Sequence, residues 1–193
     1  MNNFLIRVDA NKDIGWGHLY RCIAFSNYLK KLNKNSVFLI KYFTPQVLEY
    51  LDINNIPYMK LEEPYTLEFK KLLNSLKENN NMDVVVIDIN HTNYLTQTGA
   101  LEEHIKKFKE QFFTVLFSEL ENTNLDCDII VSPYIELEIF NNKADNVLIG
   151  ESYFILRDEF TKKGQDYNVK QQIRHIVITM GGGNPSNSIE KAI

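Results

Sequence analysis

The sequence predicts an α/β protein with a doubly wound, mostly parallel sheet. Short apolar segments rich in Val, Ile and Phe alternate along the chain with longer segments whose apolar residues recur at helical spacing. This alternation is typical of parallel strands joined by helices that cover both faces of the sheet. The chain has 193 residues, of which 44% are hydrophobic, enough for one domain with a full core or slightly more.

The elements follow from composition and period, taken in chain order. The predicted strands, bounded by Asp, Asn or Ser, span residues 4–10, 36–43, 57–61, 83–89, 112–119 and 127–134. The predicted helices span residues 19–32, 44–55, 66–80 and 94–111. The first helix places Leu19, Cys22 and Leu29 on one stripe. The second opens with Thr44 as N-cap and Pro45 at its first helical position.

The last part of the chain predicts the beginning of a second α/β domain. A polar stretch over 161–174 is typical of a linker, and an apolar run over 175–180 predicts a buried strand before a glycine turn and a helix start. We therefore expect an N-terminal domain over 1–164. A linker and a truncated C-terminal nucleotide-binding domain then follow over 165–193.

Composition excludes several classes of function. A net charge of −4 offers no basic excess for nucleic acid. Cys22 and Cys127 stand apart, without the spacing of a zinc site or a disulfide scaffold, so we expect no metal and a cytoplasmic setting. Signal peptide and membrane-span patterns are absent from the sequence. No cofactor is predicted.

The turn between the first strand and the first helix reads "DIGWGHLYRC". Gly15 and Gly17 fit the first two positions of the dinucleotide fingerprint, but Tyr20 occupies the third glycine position and Lys41 stands where an acid binds the ribose. A nicotinamide cofactor is therefore disfavoured. His18 falls in the first helical turn, where the helix dipole disfavours imidazolium, so a neutral general base is predicted. The alternative is a tight turn in which the ring only braces a neighbouring loop.

A second glycine turn, "GGGNPSN" over 181–187, follows the strand predicted over 175–180. Consecutive backbone N–H groups ahead of a helix form an anion site, here suited to the diphosphate of a nucleotide sugar, although a glycine-rich hinge is the alternative. The Walker motif is absent. The residues predicted to bind are Gly181, Gly182, Gly183, Asn184 and Asn187.

Four segments in order resemble one protein family. "IRVDANKDIGWGHLYRC" resembles the N-terminal signature of the UDP-sugar hydrolase of pseudaminic acid biosynthesis and of the spore-coat polysaccharide biosynthesis proteins of the SpsG type. "VVVIDINHTNY", "YFILRDEF" and "HIVITMGGGNPSN" are similar to later motifs of the same family. The resemblance implies the N-terminal Rossmann-like domain of a glycosyltransferase-B fold related to MurG. A UDP-sugar would lie between two domains.

The resemblance also implies roles for single residues. His18 occupies the position of the histidine that activates water in the hydrolases, and Gly15 and Gly17 would let backbone approach the sugar. Asp9 and Arg21 would support the loop and the substrate, or form only a bracing hydrogen-bond pair.

The segment after the fourth strand departs from the family pattern, and Asn184 stands where the glycine turn of the family usually has Asp. Asp88 and Asn90 stand where the hydrolases have Asp-His-Tyr, so an aromatic sugar contact is missing there. Both are predicted to bind substrate.

The functional expectation is a UDP-sugar hydrolase that serves surface polysaccharide or nonulosonic acid biosynthesis. Two alternatives stay open. The first is a glycosyltransferase of the same fold, in which a sugar hydroxyl replaces water. The second is a non-catalytic sugar-binding or assembly domain that forms a homodimer through the strand predicted over 175–180.

Overall fold

A computed structural model describes residues 3–62, 67–79, 81–89, 100–118, 125–133 and 146–161, together with residues 172, 176 and 177. The strands are β1 (Asn3–Val8), β2 (Ser36–Ile40), β3 (Tyr58–Lys60), β4 (Met82–Asp88), β5 (Phe113–Phe117), β6 (Ile129–Ser132) and β7 (Asn146–Ile149). The helices are α1 (Gly17–Lys31), α2 (Pro45–Ile53), α3 (Leu67–Asn79), α4 (Ala100–Lys109) and α5 (Asp158–Thr161), with a 3₁₀ turn at Glu151–Tyr153.

The strands form one seven-stranded sheet in the order β3-β2-β1-β4-β5-β6-β7. Every neighbouring pair is parallel. This architecture confirms the α/β, doubly wound fold that the sequence predicts.

The core lies on both faces of the sheet. Ile6 of β1 packs with Leu19 of α1 and Val47 of α2, whereas Leu5 packs with Phe108 of α4 on the opposite face. Successive residues of a strand point to opposite faces, so the apolar β1 serves both layers. The two layers fix α1 across the sheet, with its N-terminus at the carboxyl ends of the strands.

The structure adds two short elements to those predicted. β7 has four residues, and sequence analysis missed its apolar run of Val147, Leu148 and Ile149. α5 is likewise only four residues long. The helix predicted over 94–111 is α4 in its described part, and residues 94–99 lie outside the described residues. Thr44 takes the N-cap position of α2 as predicted, although its side chain makes no capping hydrogen bond.

The predicted second domain falls almost entirely outside the described residues. Of the strand predicted over 175–180, only Ile176 and Val177 are described, and they are 79% and 86% exposed. Burial was expected there, but no described part of the chain covers these two residues. The domain boundary near residue 164 stays a prediction. Among the described residues, no helix is long and apolar enough to cross a membrane.

Candidate active site

The crevice at the carboxyl ends of β1 and β4 is the natural place for a ligand in this fold. From β1 the chain moves outward to β2 and β3, whereas from β4 it moves the other way to β5, β6 and β7. Open α/β sheets bind ligands where the strand order reverses in this way. Asp88 is the last residue of β4 and pairs with Val8 of β1 at this edge. Asp88 therefore lies at the base of the crevice.

The turn between β1 and α1 is built around one asparagine. The side-chain oxygen of Asn11 accepts hydrogen bonds from the N–H groups of Asp13 (2.9 Å) and Ile14 (2.8 Å), and its carbonyl accepts one from Gly15 (2.9 Å). Gly15 has φ of 78°, a left-handed conformation that favours glycine. The turn delivers His18 to the first turn of α1. Sequence reasoning missed Asn11, although an asparagine side chain commonly accepts a hydrogen bond from the backbone two residues further on.

Three side chains of α1 converge on the carboxylate of Asp88. His18 Nδ1 lies 2.7 Å from Oδ1, and Arg21 donates from Nη2 to Oδ1 at 2.7 Å and from Nε to Oδ2 at 2.8 Å. The Cys22 thiol donates to Oδ2 at 3.4 Å. His18 and Arg21 are three residues apart, so they share one face of the helix. Asp88 is fully buried, whereas the His18 side chain is 17% exposed.

These contacts determine which ring nitrogen of His18 holds the proton. Burial alone would raise the pKa of Asp88, but hydrogen bonds from His18 and Arg21 and the charge of Arg21 lower that pKa overall. An ionised carboxylate only accepts hydrogen bonds, so the 2.7 Å contact with Asp88 favours a proton on Nδ1 over the other tautomer, in which Nδ1 would accept from Arg21 Nη2 at 3.1 Å. In the neutral ring the lone pair is then on Nε2. A histidine oriented by a carboxylate in this way is arranged as a general base.

The N-terminus of α1 gives the site a positive field. The N-cap residue Trp16 makes no side-chain capping bond, and the first turn contains no acidic residue. The partial positive charge of the helix end therefore adds to that of Arg21, against the single carboxylate of Asp88. Such a field favours an anionic group, for example a phosphate, beside His18.

Gly17 leaves open space next to the histidine. It is the first residue of α1, and a Cβ built on it would meet no atom within 4 Å. Its φ is not in the left-handed region, so the backbone itself does not demand glycine here. The open space agrees with the expected approach of backbone to a ligand, which stays a prediction.

Asp9 lies in a different cluster from the one predicted. Its carboxylate accepts two hydrogen bonds from Arg7 (2.6 and 2.7 Å) and one each from the backbone N–H groups of Lys41 and Tyr42 (both 2.9 Å). It is 1% exposed, so its donors are all internal and it braces the end of β2. We assign Asp9 to this bracing role rather than to substrate contact. The carboxylate partner of Arg21 is Asp88.

The ion pair of Arg7 and Asp9 lies next to a buried histidine, His104, that sequence reasoning missed. Arg7 Nε donates to Nε2 of His104 on α4 at 3.3 Å. Burial, followed by the positive charges of Arg7 and Lys41, holds the pKa of His104 well below its ordinary value. His104 therefore stays neutral and accepts from Arg7.

The remaining predicted binding residues lie outside the described residues, namely Asn90, Gly181, Gly182, Gly183, Asn184 and Asn187. In the described part of the chain, no group of three or more His, Cys, Asp or Glu side chains could hold a metal ion.

Two curated proteins are similar to this chain in sequence, whereas no family model matches it. An uncharacterised protein of Methanocaldococcus jannaschii is 27% identical over 94% of this chain and 37% of its own length. The spore coat polysaccharide biosynthesis protein SpsG of Bacillus subtilis is 24% identical over 97% of this chain and 53% of its own length. The chain thus spans about half or less of the curated relatives it matches.

The solved structures that are similar to this chain in fold include two from bacteria. The crystal structure of Acinetobacter baumannii MurG matches with a TM-score of 0.50 and 9% identity, over 75% of this chain and 44% of that one. A glycosyltransferase from Rickettsia africae matches with a TM-score of 0.54 and 14% identity, over 77% of this chain and 42% of that one. The described sheet and helices therefore have the fold of one part of glycosyltransferase-B proteins.

Proposed function

We propose that this chain contains the catalytic base of a nucleotide-sugar enzyme of polysaccharide biosynthesis, and that this general base is His18. The observation that carries the proposal is the 2.7 Å contact between His18 Nδ1 and the buried Asp88, which makes Nε2 the basic nitrogen at the strand-order reversal. The similarity to SpsG and the glycosyltransferase-B fold support the substrate class.

In the hydrolase form of the proposal, the nucleophile is water. His18 Nε2 takes a proton from water as the oxygen attacks the anomeric carbon of a UDP-sugar. The bond between that carbon and the diphosphate oxygen breaks, and UDP leaves with the electron pair. The positive end of α1 and the turn predicted over 181–187 would stabilise the negative charge on the diphosphate. Asp88 does not touch the substrate in this scheme, because it is fully buried and orients His18.

A glycosyltransferase is the second candidate. Its support is the fold similarity to MurG and to a second glycosyltransferase. The same base would take the proton from a sugar hydroxyl instead of water, so the His18 geometry serves both reactions. Products formed with and without an acceptor sugar separate them.

The test is UDP release from a panel of UDP-hexosamines by the protein and by its His18→Gln variant. General base catalysis contributes about 10²–10⁴-fold to a rate, so we expect a loss of that order in the variant. Titration calorimetry with UDP and with the same UDP-sugars checks that binding is kept. Activity of the variant within a few-fold of the parent would exclude His18 as the base. Binding without any UDP release by the parent would favour the non-catalytic sugar-binding alternative.

A further inference from the structure

The motif over 153–160 is not used by the site described above, yet one of its residues reaches α1. The guanidinium carbon of Arg157 lies 5.4 Å from the ring centroid of Tyr20 on α1 and 4.7 Å from that of Phe160. Arg157 also pairs with Glu159 at 2.9 Å. The segment that follows the last strand of the sheet is therefore attached to the helix that presents His18.

Tyr20 belongs to a cluster of three aromatic rings beside the β1–α1 turn. Its ring centroid lies 5.7 Å from that of Trp16 and 5.8 Å from that of Tyr50, and the Trp16 and Tyr50 centroids are 5.6 Å apart. The pKa of Tyr50 is raised by burial first, then by Tyr20 and Glu159, while Arg157 lowers it. The charges of Arg157 and Glu159 thus lie close to this cluster.

Trp16 connects the cluster to the candidate active site. It is the N-cap residue of α1 and lies two positions before His18. Because its indole is packed against Tyr20 and Tyr50, displacement of Tyr20 would alter the backbone from which His18 projects.

We propose that Arg157 is a positioning residue, which stacks on Tyr20 and through the Trp16 cluster keeps the His18 turn in its reactive conformation. The catalytic consequence rests on the proposed function, but the positioning itself does not. A planar guanidinium is suited to this task because it stacks on an aromatic face while it pairs with a carboxylate. Arginine is therefore required at residue 157, and lysine restores only part of the effect.

A second attachment between α1 and the same segment provides a matched control. Lys31 donates to both carboxylate oxygens of Asp158 at 2.9 Å, and these two side chains are 57% and 64% exposed. Lys31→Gln removes this attachment without touching Tyr20. It separates the effect of Arg157 from a general loosening of the segment.

The experiment compares Arg157→Gln, Arg157→Lys and Lys31→Gln in the full chain without ligand. Trp16 is the single tryptophan of the protein, so acrylamide quenching of its fluorescence reports on the cluster directly. In Arg157→Gln we expect the population of the conformation with a displaced Trp16 to rise about two- to fivefold. This factor corresponds to the loss of one exposed cation–π contact. Quenching rises accordingly, Arg157→Lys lies between this variant and the parent, and Lys31→Gln matches the parent.

Long-range ¹H–¹⁵N NMR of the His18 ring is the second measurement. We expect Arg157→Gln to lower the fraction of the ring protonated on Nδ1, and Lys31→Gln to leave it unchanged. Unchanged quenching and an unchanged His18 ring in Arg157→Gln would overturn the proposal, and so would equal changes in Lys31→Gln. Both readouts are independent of turnover. A failure of the UDP-release assay therefore leaves this test intact.

Discussion

At the scale of single residues, the account depends on the carboxylate of Asp88. It lies in a fully buried position and is ionised, because the hydrogen bonds from His18 and Arg21 outweigh the cost of burial. Burial raises the pKa of the Cys22 thiol well above its ordinary value, so Cys22 stays protonated and donates to the same carboxylate. Each donor lowers the cost of a buried charge, and together they fix the direction of the His18 ring.

Replacement of Asp88 by asparagine tests how far the site also stabilises the fold. The amide presents an NH₂ group to donors that need an acceptor, and Arg21 loses the charge of Asp88. Breaking a fully buried ion pair costs about 3–5 kcal/mol. Because the Arg21 side chain is 18% exposed, we expect Asp88→Asn to lower the free energy of unfolding by about 2–3 kcal/mol. Urea denaturation at pH 7 measures it.

Asp83→Asn on the same strand is the control for that measurement. Asp83 pairs with Lys77 at 3.3 Å, and both side chains are more than 40% exposed. Such a surface pair contributes about 0–1 kcal/mol. Equal losses in the two variants would contradict the role given to Asp88.

His104 predicts a pH dependence of stability. Its pKa in the folded chain is well below the ordinary value, because the ring is buried and lies near Arg7 and Lys41. As the pH falls below about 6.5, the unfolded chain binds a proton at this ring that the folded chain does not bind, so stability decreases by up to about 1.4 kcal/mol per pH unit. Urea denaturation between pH 7.5 and 5.5 measures this slope.

The matched variant for His104 is His104→Gln. The amide oxygen still accepts from Arg7, but the side chain no longer titrates. We expect the unfolding free energy of this variant to depend less steeply on pH than that of the parent. Parallel slopes for the two proteins would show that His104 titrates alike in the folded and unfolded chains.

At the scale of elements, the two glycines of the β1–α1 turn have different roles. The backbone conformation of Gly15 favours glycine, whereas Gly17 leaves open space. Gly15→Ala places a side chain at φ of 78°, which costs about 1–2 kcal/mol of stability. Gly17→Ala meets open space at a helical position, so the free energy of unfolding is unchanged or rises by up to about 1 kcal/mol.

The same pair of variants tests the proposed substrate approach. If a ligand occupies the space beside Gly17, Gly17→Ala lowers UDP release while the protein stays stable. Thermal unfolding and the UDP-release assay measure the two effects separately. A Gly17→Ala protein that is fully active and fully stable would show that no ligand group lies there.

Most strands and the long helices could be predicted from sequence, whereas β7, α5 and the side-chain partners were missed. β1, β4 and α1 follow from apolar runs and helical period, and the structure confirms them. α5 has four residues, about one helical turn and too few to show a period, and the three-residue apolar run of β7 was overlooked. Sequence analysis predicted that Asp88 binds substrate but did not predict its contact with His18, because the two residues lie 70 positions apart and only the assembled sheet brings them together.

At the scale of the whole molecule, the strand order explains why the site lies where it does. The first strand occupies the middle of the sheet beside the fourth, so the turn after β1 meets the end of β4 at the reversal point. The alternation of strands and helices predicted this architecture, and the glycine turn with His18 marked its edge. The chain covers 37% and 53% of its two curated relatives, and the substrate and the reaction are proposals.

The most direct test of the central claim is the protonation state of the His18 ring. The chain has four histidines, and long-range ¹H–¹⁵N NMR at pH 7.5, with His18→Gln for assignment, identifies the signals of His18. We predict a proton on Nδ1 and a lone pair on Nε2 in the parent protein, with this preference lost in Asp88→Asn. A parent ring protonated on Nε2 would contradict the account, because Asp88 would not then orient His18 as a base.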